Sequence, residues 1–132
     1  MKSAILLFAH GARDPEWAHP FFAIRNLVAQ QLPDTLVKLA FLEIMSPVLE
    51  VAVAELATQD IRSITLIPLF IARGRHLKED LPRLLNDICK QHPTIHFHTA
   101  PAIGEENTIL LCIAQWISAQ HIIACSNPDL NY

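Results

Sequence analysis

Two histidines, His10 and His76, each follow an apolar run that is typical of a buried β-strand. The run 4–9 directly precedes His10, and the run 64–72 ends four residues before His76. If both runs are parallel strands, both imidazoles leave the carboxyl edge of one sheet, where open α/β folds bind ligands. Neutral imidazole is a common ligand of transition metals. Although a single histidine at a strand end is usually structural, this pair predicts a metal-ligating site.

Glycines and cations flank both histidines. Gly11 follows His10 and Gly74 precedes His76, and a glycine lets the backbone and a ligand approach each other closely. The chain has a formal net charge of −3, so cations that gather at one edge would form a local anion site. Guanidinium groups bind carboxylates bidentately, whereas solvated loop charge is the alternative interpretation. The cations concerned are Arg13, Arg73, Arg75 and Lys78.

Glu43 closes an otherwise apolar run that starts at Ala40. We expect it beside His10, where partial burial would make its carboxylate a stronger base and a proton acceptor or metal relay. An acidic residue that interacts with the dipole of the following helix is an equally good interpretation. His96 and His98 occupy alternate positions of the fourth predicted strand and could bind a metal as a pair, but we favour a surface position.

Strand-like and helix-like segments alternate along the chain. Continuous Ile, Leu, Val and Phe runs in three of the four strands are typical of a parallel sheet covered on both faces. We therefore predict a three-layer α/β/α fold. Right-handed crossovers favour the flavodoxin-like strand order 2-1-3-4, which places His10 and His76 side by side. The predicted strands cover residues 3–9, 36–42, 63–71 and 95–100, and the predicted helices cover residues 16–31, 47–58, 78–91 and 105–124.

The length of 132 residues and the hydrophobic content of 52% fit one domain with a full core. We predict a single α/β domain over residues 1–125 and a flexible tail over 126–132. The last helix is apolar nearly all round, so it either lies deep in the core or covers a partner subunit. Cys89 and Cys112 lie in apolar helical patterns and are predicted to be small core residues. Three cysteines without a C-x-x-C pair argue against disulfides and thiolate metal sites.

The composition argues against several classes of function. A charged content of 17% argues against disorder, and the absence of any Lys/Arg run argues against nucleic-acid binding. The first apolar run is shorter than the core of an ordinary signal peptide. No run is expected to reach the ~18 uncharged apolar residues of a membrane span. These features predict a soluble cytoplasmic protein that binds neither nucleic acid nor membrane.

Three blocks of residues together resemble a known enzyme family. They are HGARDP at 10–15, FLEIMSP at 41–47 and PLFIARGRHLKEDLP at 68–82. The chain is similar to the class II tetrapyrrole chelatases, specifically the short, single-domain CbiX type of sirohydrochlorin chelatase, from about residue 3 to residue 120. It departs from the family pattern in having Ala12 where a serine is common and in lacking the histidine-rich or cysteine-bearing tail of some longer members. These departures leave the identity of the metal open.

The resemblance implies insertion of Co²⁺, Fe²⁺ or Ni²⁺, as a substrate, into sirohydrochlorin, without an organic cofactor. It matches His10 and His76 to the metal-binding and proton-accepting histidines of the family, and Glu43 to the acidic residue near the site. The acetate and propionate groups of sirohydrochlorin would explain the clustered cations. Since one small lobe covers only one side of a flat macrocycle, we expect a homodimer whose carboxyl edges face a shared cleft. The apolar last helix, with Trp116 near its middle, is a candidate for part of the dimer interface.

Two other functions are compatible with these residues. A non-catalytic metal or tetrapyrrole carrier of the same fold needs the same ligands, and only turnover of metal-free substrate separates it from a chelatase. The His10-Gly11-x-Arg13 pattern is also similar to the Arg-His-Gly motif of histidine phosphatases. In that family an arginine is required where this chain has Ala9, and the chain is short for that fold.

Overall fold

Four parallel strands form one sheet in the order β2-β1-β3-β4. The computed structural model describes residues 2–127 and 129, and for His76 it describes the backbone and not the side chain. The predicted α/β class and the predicted strand order are both confirmed. The strands are β1 (Ser3–Ala9), β2 (Leu36–Phe41), β3 (Ser63–Pro68) and β4 (His96–Thr99).

Four α-helices and two short 3₁₀ helices connect and follow the strands. Asp14 caps the first 3₁₀ helix, because its Oδ1 accepts a hydrogen bond from the N–H of Glu16 at 3.0 Å. Val48 is the N-cap residue of the second α-helix and makes no side-chain cap. The α-helices are α1 (His19–Gln31), α2 (Leu49–Ala57), α3 (Arg75–Gln91) and α4 (Asn107–Ser126). The 3₁₀ helices are Pro15–Ala18 and Ile103–Glu105.

The segment between β3 and α3 is placed differently from the prediction. β3 ends at Pro68, three residues earlier than expected, because proline has no N–H to continue the ladder. The chain still follows β1 for one more residue, since the N–H of Leu69 donates to the carbonyl of Phe8 at 2.7 Å. α3 begins at Arg75 instead of residue 78. His76 therefore lies in the first turn of a helix and not in a loop.

The two faces of the sheet are covered unequally. On one face, α2 and α3 enclose the larger core, where Leu6 and Phe8 of β1 are fully buried. The apolar face of α2 packs on this core, because Leu49, Val53 and Leu56 are buried there. On the other face, the segment from Trp17 to Phe21 packs on a smaller cluster of β1 and β2 residues. This smaller cluster contains Leu7, Ala9, Leu39 and Phe41.

Three expectations about α4 and the cysteines are corrected. α4 has no buried residue, so a position deep in the core is wrong, and Cys89 and Cys112 are exposed instead of buried.

α4 also has 20 residues, a mean hydropathy of 1.5 and no Asp, Glu, Lys or Arg, so it is long and apolar enough to cross a bilayer. Length and composition alone assign no membrane span, because apolar helices that pack on protein pass the same test. Ser126 is still helical, and most of the predicted tail lies outside the described residues.

Candidate functional site

A cavity of about 300 Å³ opens at the carboxyl edge of the sheet. His10, Glu43 and Gly74, which the sequence singled out, all line it. Their position confirms that the ends of β1 and β2 and the start of α3 meet at this edge. The remaining lining residues are Leu42, Phe70, Ala72, Leu77 and Asp80, so the walls are largely apolar with a few polar groups.

The imidazole of His10 is held by a ring contact and a backbone contact. It is exposed, and its ring meets that of Phe70 edge-to-face at a centroid distance of 6.5 Å, while Phe70 packs edge-to-face on the buried Phe8 at 5.6 Å. Nδ1 lies 3.3 Å from the carbonyl oxygen of Gly11. Because a carbonyl oxygen only accepts, this contact requires the proton to be on Nδ1. The lone pair of Nε2 is then available to a proton or a metal ion.

Gly11 brings Glu43 next to His10. Its φ is +95°, and a Cβ at this position would lie 2.0 Å from the carbonyl oxygen of Glu43. The N–H of Glu43 donates to the carbonyl of His10 at 3.2 Å, and that of Leu42 donates to the carbonyl of Ala9 at 2.9 Å. The expected approach of a ligand at Gly11 is thus not what requires a glycine there, because the backbone of Glu43 occupies the space that a side chain would fill. Glu43 is exposed in the protomer, so the expected partial burial is wrong.

A tight turn follows Glu43. Ile44 has a φ of 71°, and the N–H of Met45 donates to the carbonyl of Glu43 at 2.7 Å, which is the pattern of a classic γ-turn. A β-branched residue rarely adopts this conformation, so the sequence contains no signal for the turn. The turn leaves the side chain of Ile44 61% exposed next to a residue that lines the cavity.

The backbone of His76 lies beside the cavity. Gly74 and Leu77, which stand on either side of it in the sequence, both line the cavity with His10. The side chain of His76 lies outside the described part of the structure. The expected approach of the two imidazoles to within roughly 10 Å therefore stays a prediction.

The four predicted cations do not line the cavity. Arg73 has a side chain that is 22% exposed and forms an ion pair with Glu105, and its Nε is buried with no hydrogen-bond partner among the described residues. Arg75 is 91% exposed and pairs with Glu79 at 3.3 Å. Arg13 and Lys78 are exposed. Like the residues that line the cavity, the four cations come after strand ends in the sequence. Two of them, Arg73 and Arg75, are already paired with carboxylates.

Sequence reasoning missed Asp80 and Phe70 as parts of the site. Asp80 comes four residues after His76 in α3, and positions i and i+4 share one face of a helix. That spacing could have identified Asp80, had the start of α3 been placed at Arg75. Among the side chains that the structure describes, no three His, Cys, Asp or Glu residues form a group that could hold a metal ion. In the described part of the site, the polar groups thus lie around the cavity and do not form a closed metal cage.

A second cavity, of about 710 Å³, lies at the opposite edge of the sheet. It is larger than the first but is formed by the amino ends of β1 and β2 and by neighbouring turns. Ligands of open α/β sheets bind at the carboxyl edge, so we assign the candidate site to the smaller cavity. The residues that line the larger one are Lys2, Ser3, Pro33, Asp34, Thr35, Leu36, Gln59 and Ile61.

Two proteins of similar sequence carry the same description. The chain is 33% identical over 85 residues to a sirohydrochlorin cobaltochelatase of Methanosarcina acetivorans, which is 64% of this chain and 65% of that protein. It is 35% identical over 81 residues to a sirohydrochlorin cobaltochelatase of Saccharolobus islandicus, which is 61% of this chain and 62% of that protein. The matches thus span less than two thirds of the length of these relatives.

Solved structures share the fold. A protein of Marinobacter aquaeolei VT8, described as a CbiX protein of cobalamin (vitamin B12) biosynthesis, superposes with a TM-score of 0.78 and 26% identity over 89% of this chain and 96% of that one. The cobalt complex of the sirohydrochlorin chelatase SirB from Bacillus subtilis subspecies spizizenii has a TM-score of 0.75 and 22% identity over 90% of this chain and 51% of that one. The sequence model of the CbiX family matches residues 4–120. Because that match covers nearly the whole sequence, the chain belongs to the CbiX family.

Proposed function

We propose that this protein is a chelatase that inserts a divalent metal ion, Co²⁺, Fe²⁺ or Ni²⁺, into a sirohydrochlorin-like tetrapyrrole. Membership of the CbiX family and the similarity to proteins described as sirohydrochlorin cobaltochelatases support this proposal. The observation that carries it is the meeting of His10 and Glu43 in one cavity at the carboxyl edge. The metal ion and the tetrapyrrole are both substrates, and the proposal needs no organic cofactor.

Metal insertion needs a base and a weakly held metal ion. Two pyrrole N–H protons must leave while the ion passes from protein ligands to ring nitrogens. Nε2 of His10 is available for either task, and the carboxylate of Glu43, on the neighbouring strand end, can accept a proton or relay it to solvent. We assign His76 as the second imidazole ligand. Two neutral ligands bind an ion loosely enough to release it to the macrocycle.

The surroundings of the cavity suit a large, flat, anionic ligand. Phe70, Leu42 and Leu77 provide apolar walls against which the macrocycle can pack, and Gly74 lines the cavity without a side chain. The carboxylates on the rim of the macrocycle would meet the cations at this edge, namely Arg13, Arg73, Arg75 and Lys78. Because Arg73 is paired with Glu105, we expect the exposed Arg13 and Lys78 to be the first to bind carboxylates.

The size of the cavity supports a homodimer, whereas the cytoplasmic location stays a prediction. A volume of about 300 Å³ is at the lower end of the ~300–1,000 Å³ found for small-molecule sites, and a tetrapyrrole is a large ligand. The exposure of His10 and Glu43 likewise leaves one side of the site open to solvent. A second protomer whose carboxyl edge faces the first would supply the missing wall. The tetrapyrrole would then bind in the shared cleft.

An absorbance assay tests the proposed activity. Metal-free sirohydrochlorin is mixed with Co²⁺, Fe²⁺ or Ni²⁺ in parallel, with the wild type, His10→Ala and the control His92→Ala, whose histidine ends α3 at the opposite edge of the sheet. We expect many turnovers with at least one metal for the wild type and the control, and only the uncatalysed rate for His10→Ala. Stoichiometric binding without turnover by the wild type would contradict a chelatase and identify a carrier.

A further inference from the structure

The end of α4 carries a histidine and a cysteine in direct contact. Sγ of Cys125 lies 3.6 Å from Nε2 of His121. The two residues are four positions apart in one helix, so their side chains share one face of it. Both residues are exposed, and Cys125 is a free thiol. Dissolved metal ions can therefore reach this pair.

The distance between the two donor atoms matches the separation that a tetrahedral metal ion requires. With a metal–sulfur distance of about 2.3 Å and a metal–nitrogen distance of about 2.0–2.1 Å, two ligands at the tetrahedral angle are about 3.5–3.6 Å apart. At the right angle of octahedral coordination, the same bonds would bring the two atoms to about 3.1 Å. The observed 3.6 Å thus suits a tetrahedral ion without a shift of the helix backbone.

Thiolate and neutral imidazole are both good ligands for such an ion. Zn²⁺ is bound by cysteine and histidine in tetrahedral sites, and thiolates and imidazoles favour ions of this class over Mg²⁺ and Ca²⁺. Nε2 of His121 accepts the thiol hydrogen of Cys125 when the proton of the imidazole is on Nδ1. A metal ion that replaces the thiol proton, which is released to solvent, keeps both atoms as ligands.

The position of the pair on the helix favours a cation. His121 and Cys125 lie in the last two turns of α4, which ends at Ser126. The C-terminal end of a helix carries a negative partial charge of about half an elementary charge. α4 contains no Lys or Arg that would repel a metal ion. Among the described residues, no third His, Cys, Asp or Glu completes a group with this pair, so water would supply the remaining ligands.

The pair is separate from the cavity and lies on the side of α4 away from Trp116. Among the residues that the structure describes, none of α4 lines the cavity. At about 100° per residue, His121 lies about 140° and Cys125 about 180° around the helix from Trp116. A surface that packs on Trp116 would therefore leave the pair accessible. The expectation of no thiolate metal site considered cysteine pairs only, and a histidine one turn before a cysteine can chelate as well.

We propose that His121 and Cys125 form a metal-binding site that takes one Zn²⁺ or Co²⁺ ion per chain, with two water molecules as the other ligands. The site does not depend on the proposed function, because it uses neither His10 nor Glu43. With only two protein ligands, the bound ion stays exchangeable, in contrast to the closed four-ligand sites in which Zn²⁺ is structural.

Cobalt absorbance tests the site. A thiolate ligand gives a sulfur-to-cobalt charge-transfer band in the near ultraviolet, whereas histidine and carboxylate ligands give none. Co²⁺ is titrated under nitrogen, without added thiol, into the wild type, Cys125→Ser and the matched control Cys112→Ser. Cys112 is also an exposed cysteine of α4, but the residues four positions before and after it are Thr108 and Trp116.

We expect the wild type and Cys112→Ser to show the band, saturating at one Co²⁺ per chain, and Cys125→Ser to lack it. Excess Zn²⁺ should bleach the band, because both ions take the same tetrahedral site. A wild type without the band, a band that persists in Cys125→Ser, or a band that Zn²⁺ does not bleach would each overturn the proposal.

His121→Ala separates chelation from binding by the thiol alone. The variant keeps Cys125 but loses the second ligand, so the dissociation constant for Co²⁺ should rise at least about tenfold. An unchanged dissociation constant would contradict a two-residue site. His10→Ala should keep the full band, so a failed chelatase assay and a failed α4 site are distinguishable. All four substituted positions are exposed, and circular dichroism should show the helix content of the wild type in each variant.

Discussion

Replacing Gly11 by alanine is the most direct test of how the fold positions Glu43 beside His10. The added Cβ would lie 2.0 Å from the carbonyl oxygen of Glu43, which must retreat by about 1.4 Å to reach ordinary contact at 3.4 Å. The alanine must also adopt a φ of +95°. The substitution therefore strains the backbone at residue 11 and separates it from the loop that carries Glu43.

The expected cost follows from these two effects. A left-handed backbone costs an L-residue about 1–2 kcal/mol. Moving Glu43 also weakens its hydrogen bond to His10 and that of Leu42 to Ala9, each of which contributes about 1 kcal/mol. We expect the free energy of unfolding to fall by about 2–4 kcal/mol, which for a chain of this length corresponds to a decrease in Tm of about 10 °C.

Gly74→Ala is the matched control, because Gly74 lines the same cavity but a Cβ there would have no neighbour within 4 Å. Its φ is −63°, which alanine adopts without strain. Alanine is a poorer N-cap residue than glycine, which lowers the stability, but it also lowers the entropy of the unfolded chain, which raises the stability. The free energy of unfolding should therefore change by no more than about 0.5 kcal/mol. Urea denaturation of both variants and the wild type measures the difference. Equal losses in the two variants, or no loss in Gly11→Ala, would refute the role of Gly11 in holding the loop.

Four further predictions concern the site and its surroundings. His10→Ala should abolish metal insertion yet change the free energy of unfolding by less than about 0.5 kcal/mol, since the side chain is exposed; a large loss of stability in urea would instead indicate a structural role. Glu43→Gln should lower kcat more than it raises KM if the carboxylate moves protons, and steady-state kinetics showing a pure KM effect would contradict this. Asp80→Asn should slow insertion at limiting metal and recover at excess metal if the carboxylate attracts the ion, whereas an unchanged dependence on metal concentration would argue against that role. Arg73→Ala should destabilise the fold by about 1 kcal/mol more than Arg75→Ala, because Arg73 is the more buried and its pair with Glu105 ties two segments together; equal urea midpoints would exclude this difference.

The sheet was predictable because its strands are apolar runs with well-defined ends in the sequence. β1 has the predicted bounds, since its apolar run is continuous and ends at a histidine and a glycine. The order 2-1-3-4 follows from crossover handedness, and it places the ends of β1 and β2 side by side. The contact between His10 and Glu43 is a direct consequence, because the strand pairing continues by two hydrogen bonds beyond Ala9.

Local backbone geometry was not predictable from residue types. Ile44 adopts a φ of 71° although isoleucine disfavours it, and the turn it forms is imposed by the pairing of the chain on either side. Gly104 lies in close contact with Ile71, which is 33 positions away in the sequence, so no local sequence pattern predicts this contact. Asp80 was overlooked because a three-residue error in the start of α3 changed which residues share a helical turn with His76.

Two expectations about burial differ from what the protomer shows. Glu43 was expected to be partly buried and α4 to be buried or covered, and both are exposed in the protomer. The expectation for α4 follows from residue type, because an uncharged apolar helix is costly to leave in water. The expectation for Glu43 came from the apolar run that it closes, but a carboxylate is well solvated in water and costly to bury. Sequence patterns report how much surface must be covered but not which molecule covers it. For the cavity that Glu43 lines, a second copy whose carboxyl edge faces the first would supply the missing wall, as in the proposed homodimer, and would also reduce the exposure of Glu43.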